Sequence, residues 1–202
     1  MVVTLFVEGG APPDQNGRSQ GRAFNRLCAR AVKTLLGKVS KRHIDVVPCG
    51  PNRNAIEQFR SALEGQQYEL PVLLVDSEGP VRTNPLAHIA QLNSIVPGLL
   101  NEDQVHLMVQ LMEAWLLSDP DALHLYFGRG FRKREVPSVE LEEIPKASIE
   151  SALAEASASC DSPYIAGQHG RRAFEILATV DPQKLQAACP SAKRFFDYLR
   201  NL

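Results

Sequence analysis

The feature that most constrains the fold is an apolar run that ends abruptly on acidic residues. Residues 71–75 read Pro-Val-Leu-Leu-Val, and Asp76-Ser77-Glu78-Gly79 follows without a break. An apolar run without alternation is typical of a parallel strand that is buried on both faces. Because open α/β sheets bind ligands beyond the carboxyl ends of their strands, Asp76 and Glu78 are predicted to lie at a binding edge.

Two further carboxylates follow apolar stretches. Glu8 comes directly after the strand-like run 2–7 and precedes two glycines, which let the backbone turn sharply beside a ligand. Glu113 follows the largely apolar stretch 105–112. If these strands end at one edge, their carboxylates can converge with the first pair and hold a hard divalent cation. Carboxylate ligands without a histidine or cysteine cluster favour Mg²⁺ or Mn²⁺ over zinc.

The pair Asp76 and Glu78 has two interpretations. On an extended strand end, residues two apart share a face, so both could reach one cation. Alternatively the segment is a polar turn, because Asp-Ser-x-Gly is favourable turn chemistry. An unpaired carboxylate ending a buried strand is costly to desolvate, and a metal would compensate that cost. For Glu8 the alternative is a solvated turn residue, and for Glu113 a favourable acid in a helix first turn.

Strand-like and helix-like segments alternate through the first part of the chain. Four strands are predicted, at residues 2–8, 43–47, 72–75 and 105–109. Helical spacing of apolar residues predicts helices between them; Asn54 is expected to cap the second helix, and Asp119 with Pro120 to start the last. This order predicts an α/β fold with a Rossmann-like parallel four-stranded sheet flanked by helices.

The alternation stops after residue 127. An irregular basic stretch, Arg129 to Arg134, is followed by helical segments only, predicted at residues 146–157, 171–179 and 190–199. We therefore expect a core of residues 1–127 and a second part of residues 128–202. That second part would comprise a basic loop and a C-terminal helical appendage packed on the core.

Composition narrows the class of protein. The 202 residues are 44% hydrophobic and 22% charged, which is ordinary for a globular protein. No apolar run reaches the length of a membrane span, and the first residues lack a basic secretory leader, so a cytoplasmic location is expected. Four widely spaced cysteines indicate free thiols in a reducing compartment rather than zinc ligands or disulfides. A net charge of −1 gives no global attraction to nucleic acid.

Local basic clusters could nevertheless bind a phosphate backbone. Arginines recur every four residues from Arg18 to Arg30 along one predicted helix face, where they repel one another unless an anion is near. The basic loop around Phe131 combines charge and an aromatic ring as single-strand grooves do. The alternatives are a solvated helix face and an exposed mobile loop. The predicted nucleic-acid contacts are Arg18, Arg22, Arg26, Arg53, Arg132 and Lys133.

Three motifs resemble those of the DUF4276 family, a bacterial family of unknown function that is similar to Toprim domains. They are Val7-Glu8-Gly9-Gly10, the Leu-Leu-Val-Asp-Ser-Glu-Gly-Pro of residues 73–80, and the Leu-Met-Val-Gln-Leu-Met-Glu-Ala-Trp-Leu of residues 107–116. The downstream order is also similar: a loop with Tyr164 and the nearby His169, then an Asp-Pro, a Cys-Pro-Ser and a terminal Arg-Phe helix. The resemblance covers nearly the whole chain.

The resemblance implies both chemistry and partners. Toprim domains occur in topoisomerases, primases and overcoming-lysogenisation-defect-type nucleases, which implies Glu8 as acid or base and Asp76 and Glu78 as Mg²⁺ ligands. The chain departs from the Toprim Asp-x-Asp pattern at Glu78, whose side chain is one methylene longer. It also has Ala166 where a lysine is expected two residues after the tyrosine. Relatives encoded beside an AAA-type ATPase in phage-defence gene clusters make such an ATPase an expected partner.

Three functions fit these observations. The first is a Mg²⁺- or Mn²⁺-dependent nuclease in which Glu8 is catalytic and also binds metal, together with Asp76, Glu78 and Glu113. The second is a catalytically silent nucleic-acid-binding or regulatory subunit of an ATPase complex. The third, a receiver-like domain phosphorylated on Asp76, fits worst, because paired acids after the first strand and a hydroxyl residue after the fourth are missing.

Overall fold

The computed structural model describes residues 1–11, 19–93, 101–138, 140–165 and 170–202. Within them, four parallel strands form one sheet in the order β2-β1-β3-β4. The strands are β1 (Val3–Val7), β2 (Ile44–Pro48), β3 (Leu70–Asp76) and β4 (Val105–Met108). The predicted Rossmann-like α/β sheet flanked by helices is therefore confirmed.

Helices connect the strands and make up most of the C-terminal part. Those in the described residues are α1 (Ser19–Gly37), α2 (Asn52–Gly65), α3 (Pro85–Asn93), α4 (Met112–Leu117), α5 (Pro120–Phe127), α6 (Lys146–Ser157), α7 (Arg171–Leu177), α8 (Pro182–Ala188) and α9 (Pro190–Asn201). None of them combines the length and the apolar character that a bilayer-spanning helix needs.

Capping explains one prediction that differs from the structure and one helix that the sequence analysis did not predict. The prediction that Asn54 caps α2 is wrong: the helix begins earlier, after Pro51, whose carbonyl accepts from the Asn54 amide at 2.9 Å. The Asp119 cap of α5 is confirmed, with its side chain accepting from the Asp121 and Ala122 amides. The helix α8, missed from the sequence, begins with the same Asp-Pro pair, and Asp181 caps it.

The sheet separates two apolar clusters, because successive strand residues point to opposite faces. Phe6 and Leu73 face the cluster with α2 and α3, whereas Leu5 and Leu74 face the larger cluster. Trp115 lies in that larger cluster and is 1% exposed, as expected for a core residue. All four cysteines are buried free thiols, also as predicted.

The C-terminal helices share the larger cluster with the N-terminal part. In that cluster α7 packs against α1, α6 against α4, and α9 against β4. Phe195 and Phe196 of α9 are both fully buried and pack beside Trp115 of α4. These contacts bring residues of the C-terminal part to the carboxyl edge of the sheet.

Candidate metal centre

Two neighbouring strands deliver the first two carboxylates. Glu8 directly follows β1, and its amide donates to the Leu74 carbonyl at 3.1 Å, which extends the β1–β3 ladder by one residue. Asp76 is the last residue of β3. Because β1 and β3 pair directly, their carboxyl ends place these two side chains next to each other.

A hydrogen-bond network fixes the Glu8 carboxylate. Its Oε2 atom accepts from the Asp76 amide at 3.0 Å and from Asn52 Nδ2 at 3.1 Å. The same Asn52 nitrogen lies 2.8 Å from the Asp76 carbonyl oxygen, so Asn52 links both strand ends to the start of α2. The sequence analysis did not identify Asn52 as a site residue. The one feature that could have identified it is an amide side chain at the start of a helix, just after β2.

Two glycines after Glu8 are required by both conformation and space. Gly9 and Gly10 have φ values of +111° and +88°, which residues with a Cβ rarely adopt. A Cβ on Gly9 would lie 2.4 Å from the Phe174 ring, and one on Gly10 would lie 2.5 Å from Asn25 Oδ1. The predicted sharp turn beside Glu8 is therefore present, and it lets α7 approach the strand end closely.

Glu78 reaches the site from a turn, not from an extended strand. Its φ is +59°, and its amide donates to the Gln110 carbonyl at 2.9 Å. The prediction that Asp76 and Glu78 share one face of a strand is wrong in this respect, because the strand ends at Asp76. Even so, one carboxylate oxygen from each of Glu8, Asp76 and Glu78 lies within 4.8 Å of the other two.

Glu113 lies beside this group without belonging to it. It is in the first turn of α4, is 2% exposed, and accepts a 2.5 Å hydrogen bond from the Tyr164 hydroxyl. Glu113 lines the same pocket as the three clustered acids, but its oxygens are outside the set that lies within 4.8 Å. The structure thus brings together three of the four predicted ligands and places the fourth at the pocket wall.

The pocket at this edge has a volume of about 340 Å³ and two kinds of wall. One wall carries the four carboxylates. The other is apolar and includes Phe24, Leu111, Met112 and Phe174. Lys146, the first residue of α6, also lines the pocket, and its Nζ lies 2.5 Å from Glu78 Oε2. The sequence provided no signal for Lys146, because it lies 68 residues from Glu78.

Burial makes the charged state of the site costly. Desolvation raises the pKa of Asp76 well above its usual range, and the negative charges of Glu8, Glu113 and Glu78 raise it further. Desolvation also raises the pKa of Glu8, although the hydrogen bond from the Asp76 amide opposes that rise. The Oδ1 atom of Asp76 is buried and has no hydrogen-bond partner among the described residues.

These properties fit a hard divalent cation. A buried oxygen without a partner is costly unless something binds it, and it lies beside two other carboxylates. The clustered donors are all carboxylate oxygens, the ligands that Mg²⁺ and Mn²⁺ prefer. Glu8, Asp76 and Glu78 are therefore the residues that could hold the ion.

The arginines of α1 do not face this pocket. Phe24 lines the pocket, and residues two positions away on a helix lie about 200° around its axis. Arg22 and Arg26 are thus on the opposite side of α1 from Phe24, and both are exposed. Arg18 lies outside the described residues.

The remaining predicted nucleic-acid contacts bind other parts of the chain. Arg53 is exposed and pairs with Glu57 at 2.9 Å. Arg132 donates to the Glu155 carbonyl at 2.6 Å, and Lys133 pairs with Asp121 at 2.6 Å.

The loop containing Arg132 and Lys133 lacks the exposed aromatic ring that was expected of a single-strand groove. Phe131 is 7% exposed and stacks on Phe127 with ring centroids 5.5 Å apart, so its ring is part of the core. A base could not stack on it, whereas the side chains of Lys133 and Arg134 are 45% and 81% exposed. Among the other loop residues noted above, Tyr164 binds Glu113, whereas His169 lies outside the described residues.

Comparison with known proteins yields one match. A family model described as "Domain of unknown function (DUF4276)" matches residues 17–200. No curated protein and no solved structure matches the chain. Asp76, Glu78, Glu113 and Lys146 lie inside the matched range, whereas Glu8 lies just before it.

Proposed function

The chain belongs to the DUF4276 family, and we propose that it is a Mg²⁺-dependent, Toprim-like nuclease that hydrolyses nucleic-acid phosphodiesters. One observation carries the proposal: the buried Oδ1 of Asp76, which has no hydrogen-bond partner among the described residues, lies beside the carboxylates of Glu8 and Glu78 at the carboxyl edge of a parallel sheet. Carboxylate-held Mg²⁺ typically serves phosphoryl transfer. Mn²⁺ satisfies the same ligands.

The proposed roles divide between binding and proton transfer. Asp76, Glu78 and Glu8 would hold the ion, with Glu113 acting from the pocket wall. When bound, Mg²⁺ would neutralise charge on the phosphate and stabilise the leaving oxygen. In hydrolysis a water oxygen bonds to phosphorus while the bond to the leaving oxygen breaks, so the water must lose a proton and the leaving oxygen must gain one.

Glu8 is the residue proposed to move a proton. Its Oε2 atom is held by two donors, Asn52 and the Asp76 amide, so the orientation of the carboxylate is fixed. In the ion-free chain, desolvation raises the pKa of this carboxyl. The fixed position of Glu8 beside the acidic pocket is therefore what favours it for proton transfer.

The proposed cellular setting rests on the family resemblance. We propose that the protein acts in the cytoplasm of bacteria, in anti-phage defence, with nucleic acid as substrate and an AAA-type ATPase as partner. Co-expression with an AAA-type ATPase from the same gene cluster, where the cluster encodes one, followed by co-purification, tests the partnership. Failure of the two chains to associate, with and without ATP, would remove the ATPase from the proposal.

Incubation of the purified chain with plasmid DNA and with RNA tests the activity. With Mg²⁺ or Mn²⁺ we expect cleavage of at least one substrate, and none in EDTA. Asp76→Ala should lower the rate by about 100-fold or more, because the buried ligand is lost. Asp197→Ala is the matched control: this half-exposed residue on α9 pairs with Lys193, far along the chain from the acids, and its loss should leave cleavage unchanged.

Two results would contradict the nuclease proposal. Cleavage that persists at the wild-type rate in Asp76→Ala would show that the acidic pocket is not the active site. Absence of cleavage together with absence of Mn²⁺ binding in calorimetry would favour the catalytically silent subunit instead.

A further inference from the structure

The pocket contains a positively charged side chain that the sequence did not predict. Among the described residues that line it, Lys146 is the one basic side chain. The arginines of α1 lie on the other side of that helix from the pocket wall, and Arg132 and Lys133 bind Glu155 and Asp121. A phosphodiester that approaches three carboxylates needs a nearby positive charge besides the metal, and this geometry leaves Lys146 to provide it.

The position of Lys146 is unfavourable for its own helix. It is the first residue of α6, and a positive charge at a helix N-terminus opposes the helix dipole. The acidic pocket stabilises Lys146 instead. The ammonium group binds Glu78, and its positive charge opposes the rise in the pKa of Asp76 and of Glu8. The location of this charge is therefore explained by the pocket and not by α6.

Lys146 is also placed so that it can move. Its side chain is 37% exposed and that of Glu78 is 42% exposed, so their ion pair lies at the pocket mouth. A lysine has a flexible stem of four carbons, which lets the ammonium group exchange one anion for another without backbone movement. An exposed ion pair of this kind contributes little stability and is easily exchanged.

We propose that Lys146 is the residue that contacts the substrate phosphate, and that it rests on Glu78 until a divalent cation binds that carboxylate. The inference builds on the proposed nuclease function. In the metal-free protein Lys146 pairs with Glu78, and it therefore competes with an incoming ion for that carboxylate. Once the ion is bound, the ammonium group of Lys146 pairs with a non-bridging phosphate oxygen.

Calorimetric titration with Mn²⁺ at pH 8 tests the competition without any substrate. Lys146→Met should bind Mn²⁺ about threefold or more tightly than the wild type, because a nearby positive charge has been removed. Lys146→Arg keeps the charge and should retain wild-type affinity. The matched control is Lys193→Met, which removes a similar ion pair with Asp197 on α9 and should not alter Mn²⁺ affinity.

Cleavage kinetics test the phosphate contact. Although it binds metal more tightly, Lys146→Met should lose about tenfold or more in kcat/KM, and Lys146→Arg should recover part of that loss. Slower cleavage despite tighter metal binding distinguishes a phosphate contact from an ion pair that only stabilises the fold, because the loss of such a pair would leave kcat/KM at the wild-type value. Circular dichroism checks folding, and Lys146→Gln replaces the methionine variant if that variant does not fold.

The outcomes separate this inference from the proposed function. Wild-type Mn²⁺ affinity in Lys146→Met, or a wild-type kcat/KM, overturns the role of Lys146 while the nuclease proposal stands. A wild-type chain that neither binds Mn²⁺ nor cleaves overturns both.

Discussion

At the scale of single residues, Asp76 is the pocket residue whose ionised form costs the most free energy when the metal is absent. Its Oδ1 atom is buried and has no hydrogen-bond partner in the part of the chain that the structure describes. Desolvation raises its pKa, and the charges of three other carboxylates raise it further. Such a residue destabilises the metal-free protein whenever it is ionised. Proteins retain groups of this kind where function requires them, so the cost itself points to a ligand.

Asp76→Asn should stabilise the metal-free protein at neutral and higher pH, because it removes the buried charge while keeping the shape. We expect the Tm in EDTA to rise by about 2–4 °C for each kcal/mol gained in a chain of this size. Mg²⁺ should raise the Tm of the wild type and leave that of the variant unchanged. Differential scanning calorimetry with EDTA and with Mg²⁺ measures both effects.

The sign of the pH dependence follows from the raised pKa. Below the unfolded-state pKa of about 3.9, Asp76 is protonated in both states and the two proteins should be equally stable. As pH rises from there through the raised folded-state pKa, the wild type loses stability relative to Asp76→Asn. Glu8, whose pKa is also raised, is present in both proteins and lowers the stability of each as pH rises. A variant less stable than the wild type in EDTA at pH 8 would contradict this account.

At the scale of elements, two Asp-Pro pairs begin helices and differ in what else they bind. Asp181 caps α8 through the Gln183 amide. Asp119 caps α5 and in addition accepts from the Asp181 amide at 3.1 Å and from Lys184 Nζ at 2.7 Å. Asp119 is 3% exposed and therefore ties α8 to α5 as well as capping its own helix.

Asp119→Ala should destabilise the protein more than Asp181→Ala. Loss of a cap alone costs about 1 kcal/mol, the value we expect for Asp181. At Asp119 the loss also leaves buried donors unpaired, so we expect about 2–4 kcal/mol. Urea unfolding followed by circular dichroism measures both variants, and equal losses would show that the link between α5 and α8 contributes nothing.

An element could be predicted when the interactions that form it lie within a few residues in the sequence. The strands, the α1 helix and the Asp119 cap were predictable because apolar spacing and capping act within a few residues. Asp181-Pro182 carried the same signal as Asp119-Pro120, so α8 could have been found. The cap was wrongly assigned to Asn54 because α2 begins at Asn52, directly after Pro51.

The site was predictable in part, for the same reason. The convergence of Glu8 with Asp76 follows from strand pairing, which the β-α order implies. The left-handed turn at Glu78 depends on a hydrogen bond to Gln110, a residue beyond β4, and could not be inferred locally. Lys146 reaches Glu78 across 68 residues, so only the folded chain reveals the pair.

At the scale of the whole molecule, the pocket is built by both parts of the chain. The strands provide Glu8 and Asp76, whereas Lys146, Gly170 and Phe174 come from beyond residue 127. The Phe174 ring occupies the space that a side chain on residue 9 would need, so the turn after β1 and α7 depend on each other. The C-terminal helices therefore complete the pocket, and the acidic edge and its apolar wall form together.

The central claim is that Glu8, Asp76 and Glu78 hold one divalent cation site. An anomalous difference map from crystals soaked in Mn²⁺ tests it most directly. We predict a peak within coordination distance of Asp76 Oδ1, with Lys146 displaced from Glu78, and no such peak in crystals of Asp76→Asn. A map with no peak among these three carboxylates, or with its only peak elsewhere in the molecule, would contradict the account.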